Sequence, residues 1–164
     1  AIDGKLAATI CIEDPLRTEA KSVIRKLHKE GFTNIVMMTG DSYRTAEAIA
    51  KCVGVDHFYA EVLPEDKADF VQQEKAKGHK VVMIGDGIND SPALSAADVG
   101  IAISDGAEIA REIADITVSA DDLNEIVILK MLSEALMKRI HKNYRQIVTF
   151  NVSLIHISEP TRPY

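Results

Sequence analysis

Cysteine is scarce in this sequence. Cys11 and Cys52 stand far apart, with no Cys-x-x-Cys pair. That pattern excludes a zinc framework and a disulfide scaffold, and it fits a reducing compartment. Each cysteine reads as a small core residue. The five histidines are scattered and form no ligand pattern. Long apolar runs are also missing: none reaches the ~18 residues that a membrane-spanning helix requires. No stretch has the makeup of a signal peptide, and the chain opens on Ala1 rather than Met. An excess of basic charge is absent as well. Lys and Arg number 19 against 25 Asp and Glu, a net charge of -6, which argues against a nucleic-acid-binding domain. There is no internal repeat and no low-complexity tract. What is left is an ordinary soluble composition, 46% hydrophobic and 27% charged over 164 residues. That is enough for one domain with a real core.

Short apolar runs alternate with helical periodicity along the chain. Residues 5–12 (KLAATICI) read as a strand, ended by Glu13, Asp14 and Pro15. Ala20, Val23, Ile24 and Leu27 then mark one face of a helix that Gly31 closes. Residues 35–38 (IVMM) are a second buried strand, ending at Thr39, Gly40 and Asp41. Residues 44–53 repeat the helical pattern, with Ala46, Ile49, Ala50 and Val53 on one face and Gly54 behind. Residues 57–60 are a short strand. Pro64 opens a third helix at its favoured first-turn position, with Glu65 and Asp66 beside it, and Gly78 ends it. Further strands are expected at 81–84, 99–103 and 116–118, with a short helix at 91–97. Alternation of this kind predicts an α/β fold: a doubly wound parallel sheet covered on both faces, with right-handed crossovers.

The texture changes at Asp122. Leu123, Ile126, Val127, Leu129, Leu132, Leu136, Ile140 and Tyr144 keep helical spacing for about six turns, longer than a typical globular helix. Lys138, Arg139, His141, Lys142 and Arg145 cluster just before Ile147, Val148 and Phe150. Such a cluster fits the cytoplasmic end of a membrane span, and equally a solvated basic face. The apolar run then breaks into LIHISEPTRPY, with two prolines and no periodicity. Residues 153–164 resemble translated adapter more than protein and are set aside from the fold argument. The expected division is 1–121 for the α/β unit, 122–152 for a long helix leading toward a truncated membrane segment, and 153–164 for the tail.

The densest chemistry lies in residues 81–94, VVMIGDGINDSPAL. Two glycines, Gly85 and Gly87, permit a sharp turn and close approach of a ligand. Asp86, Asn89 and Asp90 follow at the carboxyl end of a strand, where open α/β sheets bind ligands. Mg2+ takes one or two protein carboxylates together with substrate phosphate oxygens, so Asp86 stands where such a carboxylate should stand. An ordinary Asp-Gly turn capped by Asn89 or Asp90 is the plain alternative. Thr39 offers a hydroxyl and Gly40 a backbone N–H, a pair suited to a phosphate oxygen or simply to a turn. Lys67 sits one turn inside the helix opened by Pro64, where its ammonium adds to the positive helix terminus and would stabilise a dianionic phosphate. One of Asp86 and Asp90 could pair with it. Hydroxyl, lysine and paired acids, each at a strand end in this order, are equipment for a phosphoryl group handled with Mg2+.

Thr39-Gly40-Asp41, Leu63-Pro64-Glu65-Asp66-Lys67 and the run from Gly85 through Leu94 resemble the signature motifs of P-type cation-transporting ATPases, within the haloacid-dehalogenase-like superfamily. Asp14-Pro15-Leu16-Arg17 resembles the D-P-x-R hinge element. Gly106-Ala107-Glu108-Ile109-Ala110 and the helix after Asp122 look most like the heavy-metal-transporting branch. The resemblance covers about residues 4–151. It implies a Rossmann-like, haloacid-dehalogenase-like sheet. It also implies that Thr39 and Gly40 hold phosphoryl oxygens, with Asp41 near the nucleotide and hinge. Lys67 would neutralise phosphoryl charge, Asp86 would bind Mg2+, Asn89 would bond a phosphoryl oxygen, and Asp90 would orient Lys67. Mg2+ and ATP are the implied cofactors, and a transported metal cation the implied cargo. The implied setting is the cytoplasmic part of an integral membrane protein.

The departure from the pattern is the nucleophile. The family's D-K-T-G-T aspartate is not in this sequence, nor are the nucleotide-binding domain and the membrane metal ligands. The partners expected are therefore the missing upstream parts of the same polypeptide. The strand bearing the nucleophile would be central to the sheet, so its absence leaves two edges open and stability marginal. A stand-alone phosphatase would have to use Asp14, but position 16 is Leu, where an acid-base carboxylate is usual. A receiver-like module could draw an acid pair from Glu13 and Asp14, but the strand that should carry its phosphoacceptor ends in Tyr59-Ala60-Glu61.

Overall fold

The computed structural model describes residues 16–86, 89–103, 112–119 and 122–158, the last four of these by backbone alone. The strand expected at 5–12, Asp14, Gly87 and the Gly106–Ala110 motif lie outside them. Helix α1 is Ala20–Lys29, β1 is Val36–Met38, α2 is Tyr43–Val53, and β2 is His57–Tyr59. Helix α3 is Pro64–Ala76, β3 is Val82–Gly85, α4 is Ser91–Ala96, β4 is Val99–Ile103, and β5 is Ile116–Val118. A final helix, α5, covers Asn124–Ser158.

Among the described residues all strand pairs are parallel, as the alternation predicts. They fall into two sheets, β1–β2 and β3–β4–β5. Val36 pairs with His57 in the first, and Val82 with Val99 and Ile101 with Ile116 in the second. Burial follows from this pairing. Strand β4 has neighbours on both edges, and its centre, Gly100, Ile101 and Ala102, is buried. Strands β1 and β3 were expected to be buried runs, yet β1 is half-buried throughout and β3 buries Met83 alone. Among the described residues neither has a hydrogen-bonded neighbour on its second edge.

Two apolar clusters hold the elements. Val23 and Leu27 of α1 pack with Ile101, Val118, Ile126 and Val127. Val71 of α3 packs with Met83, Ala93 and Leu94, and Met38 of β1 lies against the same cluster. Leu94 and Val71 are each 1% exposed, and burial of such side chains is worth about 1.5–3 kcal/mol apiece. Helix α2 turns Ala46, Ala50 and Val53 inward. Cys52 is exposed rather than a core residue, because it lies off that inward face. Gly54 closes α2 with φ 82°, a left-handed cap that suits glycine.

Register is fixed at the amino ends by a repeated device. An aspartate immediately before a strand accepts the N–H of the preceding strand's start. Asp56 takes Ile35 N (2.7 Å), Asp98 takes Val81 N (2.9 Å), and Asp115 takes Gly100 N (2.8 Å). The Val81 N–H, with Lys80 and Lys75 nearby, holds the Asp98 carboxyl below the ordinary carboxylate range.

The periodic face expected for α5 is buried only at its start. Ile126 and Val127 are buried, while Leu132, Leu136, Ile140 and Tyr144 are exposed. Lys26 Nζ reaches Asn124 (2.5 Å), and Lys130 stands 5.9 Å over the Phe32 ring. Beyond those turns α5 leaves the body. It also runs unbroken to Ser158; the first proline after Asn124 is Pro160. Among the described residues, no helix is long and apolar enough to cross a membrane.

Candidate functional site

The carboxyl ends of β1 and β3 and the start of α3 carry the residues singled out above. Thr39 follows β1, and Thr39 N donates to Tyr59 O across the strand pair (3.0 Å). The Thr39 hydroxyl donates to Asp41 Oδ2 (2.8 Å) and accepts Asp41 N–H (3.1 Å). Two backbone bonds, Glu61 N to Asp41 O and Val62 N to Thr39 O, both 3.0 Å, tie this loop to the chain entering α3. Glu61 takes φ 56° to make them, an uncommon conformation for a residue with a side chain. The Thr39 hydroxyl is therefore held by its own turn. It would have to exchange Asp41 for any phosphoryl oxygen.

Lys67 lies in the first turns of α3, after Pro64, Glu65 and Asp66. Its ammonium meets Asp90 Oδ1 at 2.7 Å. Both side chains are largely withdrawn from water, 14% and 13% exposed. Asp90 precedes α4, and its carbonyl accepts Leu94 N–H (2.8 Å), which ties it to the first turn of that helix. The pair therefore bridges α3 to the end of β3 across 23 positions of sequence.

Asp86 follows β3. Its carboxylate accepts Asn89 N–H (3.2 Å), with the Asn89 amide 3.5 Å from the second oxygen. So the structure joins Thr39 to Asp41, Asp86 to Asn89, and Lys67 to Asp90. Gly40 has open space around it, its nearest neighbour being Val62 O at 3.9 Å from a notional Cβ. The donors present suit Mg2+. Asp86 is a hard oxygen ligand at a strand end, and among the described residues no group of three or more His, Cys, Asp or Glu surrounds it. A carboxylate at a strand end fits a cation that keeps waters and takes substrate phosphate oxygens.

Gly85 does not serve a sharp turn. It is the last residue of β3, paired in register with Ala102, and the space a side chain would need there is filled by Asp90. Sequence reading missed this, and missed the Asp56, Asp98 and Asp115 clamps. The clamps have a legible signal, an aspartate directly before β2, β4 and β5. Gly85 has none short of the packing.

A model of the haloacid dehalogenase-like hydrolases matches residues 1–98, well over half of the chain. The chain belongs to the haloacid dehalogenase-like hydrolase family. A second model, also described as haloacid dehalogenase-like hydrolase, matches residues 68–132. Within the family the similarity runs to P-type ATPases. Copper-transporting ATPase 2 of Rhizobium meliloti is 44% identical over 158 residues, 96% of this chain and 19% of the relative. The copper-exporting P-type ATPase of Legionella pneumophila is 43% identical over 152 residues, 93% of this chain and 20% of the relative. The chain thus spans about a fifth of the length of these curated relatives. A zinc-transporting PIB-type ATPase structure in the E2.Pi state superposes with TM-score 0.72 at 38% identity, covering 88% of this chain and 23% of the other.

Proposed function

We propose that this chain is the Mg2+- and phosphoryl-handling half of an aspartyl-phosphate site in an ATP-driven heavy-metal cation transporter. It would lie on the cytoplasmic side of the membrane and be inactive by itself. The observation that carries this reading is the withdrawn Lys67–Asp90 pair, 2.7 Å long, set between a helix amino terminus and the strand end that bears Asp86. The similarity to copper-named and zinc-named P-type ATPases supports the cargo class.

In this reading the γ-phosphoryl of ATP passes to an aspartate carboxylate supplied by the upstream part of the same polypeptide, and ADP leaves. Water later hydrolyses the acyl phosphate, returning the carboxylate and phosphate. Lys67 has three N–H donors. Asp90 holds one, which aims the others at the equatorial oxygens, where transition-state charge collects. The positive end of α3 adds to that charge. The Thr39 hydroxyl leaves Asp41 for a phosphoryl oxygen, with Gly40 N–H beside it. Asn89 steadies Asp86 and contributes an amide donor. Mg2+ held by Asp86 would neutralise phosphoryl charge and help orient the transferring group. Asp90 acts behind these groups, through Lys67.

Fusion of this chain to an upstream segment carrying the acceptor aspartate, followed by acid quench with radiolabelled ATP, tests the reading. The fusion should form a Mg2+-dependent phosphoenzyme, the chain alone none, and Asp86→Asn should abolish it. Absence of phosphoenzyme in a folded fusion would overturn the proposal. So would Mg2+-dependent phosphatase activity of the chain alone that Asp14→Asn removes.

A further inference from the structure

We propose that Gly85 is a positioning residue for the site: its missing side chain is what lets Asp90 lie close enough to the end of β3 to hold Lys67. The assignment of that pair to phosphoryl chemistry rests on the function proposed above; the packing argument does not. A Cβ built on Gly85 would stand 2.6 Å from Asp90 Cβ and 2.8 Å from Asp90 Cγ. Carbon atoms rest at about 3.5–4.0 Å, so the overlap is about 1 Å. The obstructing atoms include the base of the Asp90 side chain, which no rotamer change can move.

Backbone relief is resisted on both sides, more in the strand than in the turn that leads into α4. Gly85 is held in the parallel ladder opposite Ala102. Asp90 is held by its carbonyl's bond to Leu94 N, and α4 behind it is anchored by Ala93 at 0% and Leu94 at 1% exposure. The part with room to give is the Asp90 side chain together with its segment, moving away from β3. That motion carries Oδ1 off Lys67 Nζ. Gly85 therefore acts through Asp90 on Lys67 without touching substrate.

The test uses the whole chain and needs neither ATP nor the upstream half, so its failure is distinguishable from failure of the transporter reading. The Lys67 side-chain nitrogen resonance is assigned by its loss in Lys67→Arg, and its unpaired position by Asp90→Asn. Gly85→Ala should move the resonance to the unpaired position. Val23→Ala, a cavity in the α1 cluster that meets β3 through Val82 and Ile84, on the face away from Met83, should destabilise the fold yet leave the resonance where it is. Retention of the paired resonance in Gly85→Ala overturns the proposal. So does its loss in Val23→Ala, which would make the pair a reporter of general loosening. Urea unfolding supplies a second measure, run in trimethylamine N-oxide so that weak variants keep a measurable transition. Gly85→Ala should lower the midpoint with Asp90 present and leave it unchanged in the Asp90→Gly background. An equal loss in both backgrounds refutes the collision.

Discussion

Replacing Lys67 by Met should cost about 3 kcal/mol of folding stability. At 2.7 Å and an effective dielectric near 20, the gross attraction to Asp90 is about 6 kcal/mol. Withdrawing both charges from water offsets most of that, so the intact pair is worth little net. Removing one partner is different, because the Asp90 side chain, 13% exposed, then loses the ammonium that faces it. Breaking buried pairs typically costs about 3–5 kcal/mol, and the residual exposure places this pair at the lower end. Methionine retains the apolar stem, so packing changes little. Asp90→Asn should cost about 2–3 kcal/mol for the converse reason. Lys67→Met/Asp90→Asn together should cost only about 2 kcal/mol, since no uncompensated charge is left. Urea unfolding with the slope checked for constancy measures all three. Single costs that add to within about 0.5 kcal/mol would refute the coupling. A Lys67→Met cost below about 1 kcal/mol would place the pair among weak surface bridges.

The Asp98 carboxyl, held below its ordinary range by the Val81 N–H and by lysines, makes folding stability depend on acid. A lowered folded-state value contributes stability above the unfolded-state value, near pH 4, and that contribution disappears as pH falls through the lowered value. Asp98→Asn should therefore flatten the stability profile below about pH 4, and an unchanged acid limb would count against the clamp. Leu94→Ala, at 1% exposure between α3 and β3, should cost about 3 kcal/mol in the same urea assay. Gly54→Ala should cost about 1 kcal/mol, because φ 82° disfavours a side chain; an unaffected midpoint would show that the cap relaxes freely. Glu61→Gly should match or exceed the parent stability by relieving φ 56°, and a loss above about 1 kcal/mol would mean that the Glu61 side chain makes a contact of real worth.

Local chemistry was enough to read most elements from the sequence. Apolar runs of three to five residues between Gly, Pro and Asp punctuation placed β4 at 99–103 and β5 at 116–118, and Pro64 marked the start of α3. The same spacing put Thr39 and Asp86 at strand ends and Lys67 in a first helical turn, because these are short-range consequences of strand length and helix caps. Burial was not legible in the same way. The sequence cannot say which strand edge is covered, so β1 and β3 read as buried runs although, among the described residues, each is hydrogen-bonded on one side. Leu132, Leu136 and Ile140 keep perfect helical period yet stand exposed, because period reports that a face exists and not what it meets. Nor could spacing choose between Asp86 and Asp90 as the partner of Lys67. That choice depends on where α3 and α4 pass one another, and on a glycine whose missing side chain leaves room for one carboxylate. Residue order sets the chemistry available at each strand end, while packing sets which groups meet, since a 2.7 Å contact across 23 positions arises only when α3 and the segment before α4 are brought together.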